Sequence, residues 1–183
     1  MELILATSSA QKAAQITALL GRPVQQQAID LPEVQAIAVA DVIEAKARVA
    51  YATVGRPVLV EDTGLMIHAW NGLPGALIRW FLESVGNEGI CTMLANFPDR
   101  SATATTCIGF FDGEQCHTFV GETHGEIAPA PRGDQGFGWD AIFLPAGSTK
   151  TFGEIATTER TAISMRGKAV QALKAFLENH EQE

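Results

Sequence analysis

The stretch Val58-Leu59-Val60-Glu61-Asp62-Thr63-Gly64-Leu65 sets a run of aliphatic, mostly β-branched residues directly against two carboxylates, a hydroxyl and a glycine. Such a run forms a buried strand of an α/β sheet, and acidic side chains at a strand's C-terminal end are where these proteins usually present a site. Glu61 and Asp62 are therefore expected to be the chemical centre. The plainer alternative is a strand that ends in a polar turn capped by Asp62 or Thr63, and the octapeptide alone does not separate the two.

With 46% hydrophobic residues over 183 positions, the chain can bury one substantial core, and no Pro/Ser-rich or charged linker interrupts it. A single domain over residues 1–183, built as two lobes, is expected. A formal net charge of -8 argues against a nucleic-acid polymer as partner, because no basic stripe exists to replace condensed counterions; a small anion held by a few placed cations remains compatible. The opening Met1-Glu2-Leu3-Ile4-Leu5-Ala6 has no basic leader followed by a long apolar segment, and no run approaches the roughly 18 apolar residues of a membrane span. A soluble, cytoplasmic protein without a membrane partner is expected. Cys91, Cys107 and Cys116 are odd in number and lack CxxC or Cys/His spacing, so they read as small hydrophobes rather than disulfides or zinc ligands.

In chain order, a short strand at Leu3 to Ala6 runs through Thr7-Ser8-Ser9 into a helix from Ala10 to Leu20. Lys12 adds a full charge to that helix start, where unpaired N–H groups and the dipole favour a phosphate. A second strand, Val24 to Ile29, leads to Leu31-Pro32-Glu33, and a helix over Val39 to Ala52 carries Lys46. If the second and third strands are neighbours, Glu33 lies beside Asp62, the minimum pair of carboxylates for a Mg²⁺ that also touches phosphates. Gly72-Leu73-Pro74-Gly75 is a turn. It precedes an amphipathic segment, Ala76 to Leu82, and a further helix over Glu88 to Ala95, with Trp80 and Phe81 assigned to packing or a subunit interface. Ala102 to Phe111 and Gln115 to Val120 form a hairpin across Asp112-Gly113, with a third strand, Glu122 to Ile127, extending the meander. The Gly/Pro-rich stretch from Pro129 to Asp140 cannot be helical, yet it holds Phe137 and Trp139 beside Asp140, a combination suited to stacking and hydrogen-bonding a nucleobase. A long helix over Ala162 to Glu178 follows, with Ser164 and Arg166 in its first turns; a cation there is disfavoured by the dipole and hints at an anionic partner.

The motifs Leu5-Ala6-Thr7 with Lys12, Leu31-Pro32-Glu33, Val60-Glu61-Asp62-Thr63-Gly64-Leu65, Gly72-Leu73-Pro74-Gly75, Ala130-Pro131-Arg132-Gly133, Phe137-Gly138-Trp139-Asp140 and Ser164 with Arg166 stand in one order. In that order the whole chain resembles the inosine triphosphate pyrophosphatase, or Ham1-like, family. That resemblance implies an α/β fold in which a long, twisted mixed sheet is flanked by helices and two lobes enclose a nucleotide cleft. It implies hydrolysis of non-canonical purine nucleoside triphosphates to the monophosphate and pyrophosphate, with Mg²⁺ as cofactor (Mn²⁺ as substitute) and a homodimer to which Leu77 to Leu82 contributes. By the same resemblance Asp62 and Lys12 are catalytic, and Glu33 and Asp62 hold the metal. Thr7, Ser8, Ser9, Lys12, Lys46, Thr63 and Arg166 grip the triphosphate, while Phe137, Gly138, Trp139 and Asp140 line the base and sugar pocket, with Met165 at the position that helps read the base and Arg160 a further substrate-binding residue. Phosphoryl transfer of this kind asks mainly for positioning and for cations that neutralise charge on non-bridging oxygens.

The chain departs from the family's usual pattern at four places. Ser9 stands where Asn is common, Gln15 where Glu is common, Arg160 where Lys is common, and Met165 replaces the His of a Ser-His-Arg triplet. Met165 neither donates nor accepts a strong hydrogen bond, so base preference is open while the triphosphate chemistry is retained. Two other readings are a Maf-like pyrophosphatase for pyrimidine or modified nucleotides, and a non-catalytic nucleotide-binding regulator. Phe137-Gly138-Trp139-Asp140 and Leu31-Pro32-Glu33 argue against the first.

Overall fold

A computed structural model describes residues 2–32 and 34–180. Strand β1 (Leu3–Ala6) leads into helix α1 (Ala10–Leu20), which is capped by the Ser9 hydroxyl accepting from Lys12 N and closed by left-handed Gly21. There follow β2 (Val24–Gln27), α2 (Val39–Val54), β3 (Val58–Ile67), β4 (Pro74–Gly75), α3 (Ile78–Ser84) and α4 (Gly86–Met93). The chain then runs through β5 (Ser101–Phe111), β6 (Cys116–Ile127), β7 (Phe143–Pro145), α5 (Thr157–Ile163) and α6 (Met165–His180). The strands form one seven-stranded mixed sheet in the order β2-β1-β3-β5-β6-β7, with β4 paired to β3. β1 runs parallel to β2 and β3, whereas β3, β5, β6 and β7 pair antiparallel.

Side-chain alternation divides the core between the two sheet faces. Leu3, Leu5, Leu59, Ile108, Phe110 and Phe119 pack under α1 and α6 with Ile16, Val170 and Leu173. Ile4, Ala6, Val58, Val60, Cys107 and Phe111 pack under α2 with Val39, Ile43 and Ala47. A third cluster, from Leu65 and Ile67 to Trp139, Phe143 and Phe152, fills the far end beneath α3 and α4. β5 is buried along nearly its whole length, while β6 alternates buried and exposed, as an antiparallel strand with one solvated face does.

Four boundary expectations change. β3 does not stop at the carboxylates but continues to Ile67 along β5, with Glu61 and Asp62 mid-strand. What stops is its parallel neighbour: β1 pairs with β3 only at Leu5 and Leu59, and the opened edge beyond is where the carboxylates stand. β1 also lies between β2 and β3, so the second and third strands are not neighbours, and Glu33 falls outside the described residues. Residues 116–127 form one strand rather than two; Gly121 marks no turn, but gives α6 room where a Cβ would collide with the Met165 carbonyl. The expected C-terminal helix starts at Met165 rather than Ala162, and a separate short helix, α5, occupies the stretch before it. Ser164 adopts an extended conformation between them, and its hydroxyl accepts from Gly167 N to start α6.

Candidate active site

A cleft of about 630 Å³ opens where β1 ends, walled by the start of α1, the middle of β3, α3, the 137–140 loop and the start of α6. Thr7, Ser8, Ser9, Lys12, Lys46, Asp62, Thr63, Phe137, Gly138, Trp139, Asp140, Met165 and Arg166 all line it. Strand alternation decides what each carboxylate meets. Glu61 points with Leu59 toward α1 and α6, whereas Asp62 points with Val60 toward α2.

Glu61 is buried and binds three partners. Lys12 Nζ approaches its Oε2 at 2.7 Å, Arg166 donates to its Oε1 from Nη2 at 2.9 Å and from Nε at 3.2 Å, and the Thr63 hydroxyl donates to Oε1 at 2.6 Å. Burial alone would raise this carboxyl; the Lys12 ammonium and Arg166 guanidinium, with hydrogen bonds from Lys12 and Thr63, hold it far below the usual carboxylate range. Glu61 is thus the anchor on which two cleft cations are fixed. Asp62 is more open, 3.9 Å from Lys12 Nζ through Oδ1, which also accepts from Thr63 N at 2.9 Å. Burial pushes its carboxyl up against the pull of Lys12 and Lys46, and the Glu61 charge adds to the rise. Lys46, buried on α2, donates to the Glu61 backbone carbonyl at 3.4 Å.

The Gly-rich loop supplies the opposite wall. Asp140 Oδ2 accepts from Phe137 N and from Arg160 Nη1, both at 2.9 Å, and Asn87 Nδ2 donates to the Gly138 carbonyl. Burial raises the Asp140 carboxyl despite the Phe137 N–H, Arg160 and Arg166. Gly136, in the left-handed region, is needed because a Cβ there would run into the Asp140 carboxylate and the Arg160 guanidinium. The two aromatics differ: Trp139 is only 6% exposed and packs edge-on against Phe143 in the core, while the Phe137 ring faces the Arg166 guanidinium at 5.7 Å.

Arg160 alone among the described binding candidates lies outside the cleft. It lines a smaller cavity of about 150 Å³ between α1, α5 and α6, which shares Asp140, Met165 and Arg166 with the cleft. Two residues that the sequence reading did not place in the site also take part, one of them Trp80, which was assigned to packing or an interface. Gln15 Oε1 accepts from Arg166 Nη1, and Trp80, 51% exposed, lines the cleft and donates from Nε1 to Gln35. The signal for Gln15 was its place in the opening motif, three residues after Lys12, where the family commonly has Glu. Among the described residues no group of three or more His, Cys, Asp or Glu gathers as a metal cage.

The Ham1 family model matches residues 3–176. The chain is 42% identical to an inosine triphosphate pyrophosphatase of Yarrowia lipolytica, over 97% of this chain and 96% of the relative. It is 37% identical to a dITP/XTP pyrophosphatase of Methanopyrus kandleri, over 98% of both. A HAM1 protein from Coxiella burnetii superimposes with a TM-score of 0.88 at 29% identity, covering 98% of this chain and 99% of that one. A sheet whose parallel strand stops beside two mid-strand carboxylates, facing an aromatic glycine loop across a cleft that holds Lys12, Lys46 and Arg166, therefore belongs with the sequence: this chain is a member of the Ham1 family.

Proposed function

We propose that the chain is a nucleoside triphosphate pyrophosphohydrolase that converts inosine, deoxyinosine and xanthosine triphosphates to their monophosphates and pyrophosphate. The observation that carries this reading is that Lys12, Lys46 and Arg166 line one cleft with Asp62, with Lys12 and Arg166 fixed by Glu61. The names of the relatives supply the substrate class.

In this reading the triphosphate lies against the start of α1, and Lys12, Lys46 and Arg166 neutralise its non-bridging oxygens. Two of those cations already sit on a buried carboxylate, so little reorganisation accompanies the reaction. Asp62, its carboxyl raised by burial, takes the proton of the attacking water as oxygen bonds to the α-phosphorus. The bond from the α-phosphorus to the bridging oxygen breaks, and pyrophosphate leaves with that oxygen. Phe137 offers the ring on which the base stacks; Trp139 holds the loop from beneath. Met165 contributes only a thioether, so the polar groups that discriminate the base lie elsewhere in the pocket.

Asp62 suits Mg²⁺ or Mn²⁺, since a Mg²⁺ site commonly uses one or two carboxylates, several waters and substrate phosphates rather than an all-protein cage. The raised Asp62 carboxyl is a group that a nearby cation would stabilise in its ionised form. Glu33 is the second carboxylate we assign. When bound, the ion supplies further charge neutralisation to the phosphate oxygens. We also assign the protein to the cytoplasm and to a homodimer; no described helix is long and apolar enough to cross a membrane, and Trp80 exposes apolar surface at the cleft.

The test is pyrophosphate release with Mg²⁺ across inosine, xanthosine, standard and modified nucleoside triphosphates. Selective turnover of the first two is expected, falling about 10²–10⁴-fold in Asp62→Asn with the fold intact. Near wild-type turnover by Asp62→Asn refutes the role of Asp62. Preference for pyrimidine nucleotides favours the Maf-like reading, and tight binding with no pyrophosphate from any nucleotide favours a regulator.

A further inference from the structure

We propose that Gln15 is a positioning residue for Arg166, and that an amide here, in place of the carboxylate common in the family, lets this guanidinium bind a polyphosphate more tightly than a carboxylate would; the inference rests on the functional reading above. Gln15 lies three residues beyond Lys12 on α1, so both side chains leave the helix on the same side. α1 and α6 pack together through Ile16, Leu20, Val170 and Leu173, which brings Gln15 to Arg166 across 151 residues of sequence.

The guanidinium is held from two directions. Glu61 takes its Nε and Nη2 at 3.2 and 2.9 Å, and Gln15 Oε1 accepts from Nη1. Glu61 also accepts Lys12 at 2.7 Å, so two cations share one carboxylate. An amide oxygen on the remaining nitrogen orients the group without cancelling its charge. A carboxylate there would form a charge-assisted bond that competes with phosphate oxygens for the same cation. Gln15 is half-buried beside the smaller cavity, so a side chain of similar size can replace it without opening the core.

The experiment compares wild type, Gln15→Glu and Gln15→Met by steady-state pyrophosphate release and by calorimetric titration with inorganic pyrophosphate. Gln15→Glu is expected to raise KM and weaken pyrophosphate binding by about three- to tenfold, with kcat changed less than KM and Tm not lowered. Gln15→Met, which loses the tether without adding charge, is expected to lower kcat about threefold with pyrophosphate affinity nearer wild type. Equal pyrophosphate affinity in wild type and Gln15→Glu overturns the proposal. If the wild type releases pyrophosphate from no triphosphate, the functional reading fails by itself, and the titration still decides the role of Gln15: weaker binding by Gln15→Glu supports it, and equal or absent binding overturns it.

Discussion

The two walls of the cleft both bury a carboxylate, but they satisfy it in opposite ways. Glu61 on β3 is met by Lys12 from α1 and Arg166 from α6, the latter 105 residues away, and the three form one long-range charge network. Asp140 on the loop wall spends its Oδ2 on the N–H of Phe137, three residues back, and on Arg160, which lies behind the cleft. The first arrangement fixes two cationic side chains at the cleft. The second fixes backbone, so that Phe137 faces in and Trp139 is locked into the core.

The largest effect that would break this contrast is at Glu61. Glu61→Gln leaves Lys12 and Arg166 without their shared anion in a buried site, and about 3–5 kcal/mol of stability is expected to go with it. Pyrophosphate release should fall in parallel. Urea denaturation reads the stability; a variant within about 1 kcal/mol of wild type would mean that solvent already compensates both cations.

Next in size is the division of labour between the loop aromatics. Trp139→Ala is expected to cost about 3 kcal/mol by emptying its place against Phe143, whereas Phe137→Ala costs under about 1 kcal/mol and shows itself as a raised KM. Thermal denaturation and steady-state kinetics on the pair separate the roles, and equal destabilisation by both variants would erase the distinction.

That pair also shows what the sequence could and could not carry. Local pattern was enough for the helix start at Ser9, the Asp112-Gly113 hairpin and the apolar start of the carboxylate strand, because each depends on residues within a few positions, though not for that strand's end. Phe137 and Trp139 are both aromatic and two residues apart, and only the packing of α4 and β7 around the loop decides which of them is core. Glu61 and Asp62 were equally visible as acids. Their separate tasks follow from the sheet face each occupies and from which helix covers that face, and one of the two cations on Glu61, Arg166, comes from the far end of the chain. The break at Ser164 was hidden for a similar reason, since an apolar helical period continues across it while the hydroxyl cap restarts the helix.

Asp140→Asn sharpens the loop side with a smaller change. The amide oxygen can still accept from Phe137 N, but Arg160 loses its charged partner, and about 1–2 kcal/mol is expected. If the wall exists to fix backbone, this variant should keep most of its turnover while melting earlier. A collapse of turnover with no change in Tm would instead give Asp140 direct contact with substrate.

The smallest expected effect comes from a third carboxylate that has local backbone partners without the burial. Asp112 Oδ1 accepts from Gln115 N and Glu114 N, both at 2.8 Å, and Oδ2 meets His117 Nε2 at 3.0 Å, on an exposed hairpin tip. Those backbone N–H groups, with His117, lower its carboxyl to about 2. Because the folded value is the depressed one, its stabilising contribution is present above the ordinary carboxyl range near about 4 and is lost as pH falls from there toward about 2. Solvent screens an exposed group of this kind, so Asp112→Asn should lower Tm by less than about 2 °C at pH 6. The gap should narrow by pH 3. A gap that stays the same from pH 6 to pH 3 would show that the amide's loss of turn geometry, not the carboxylate's charge, sets the difference, and that a local cap on this chain owes its strength to shape even where burial is absent.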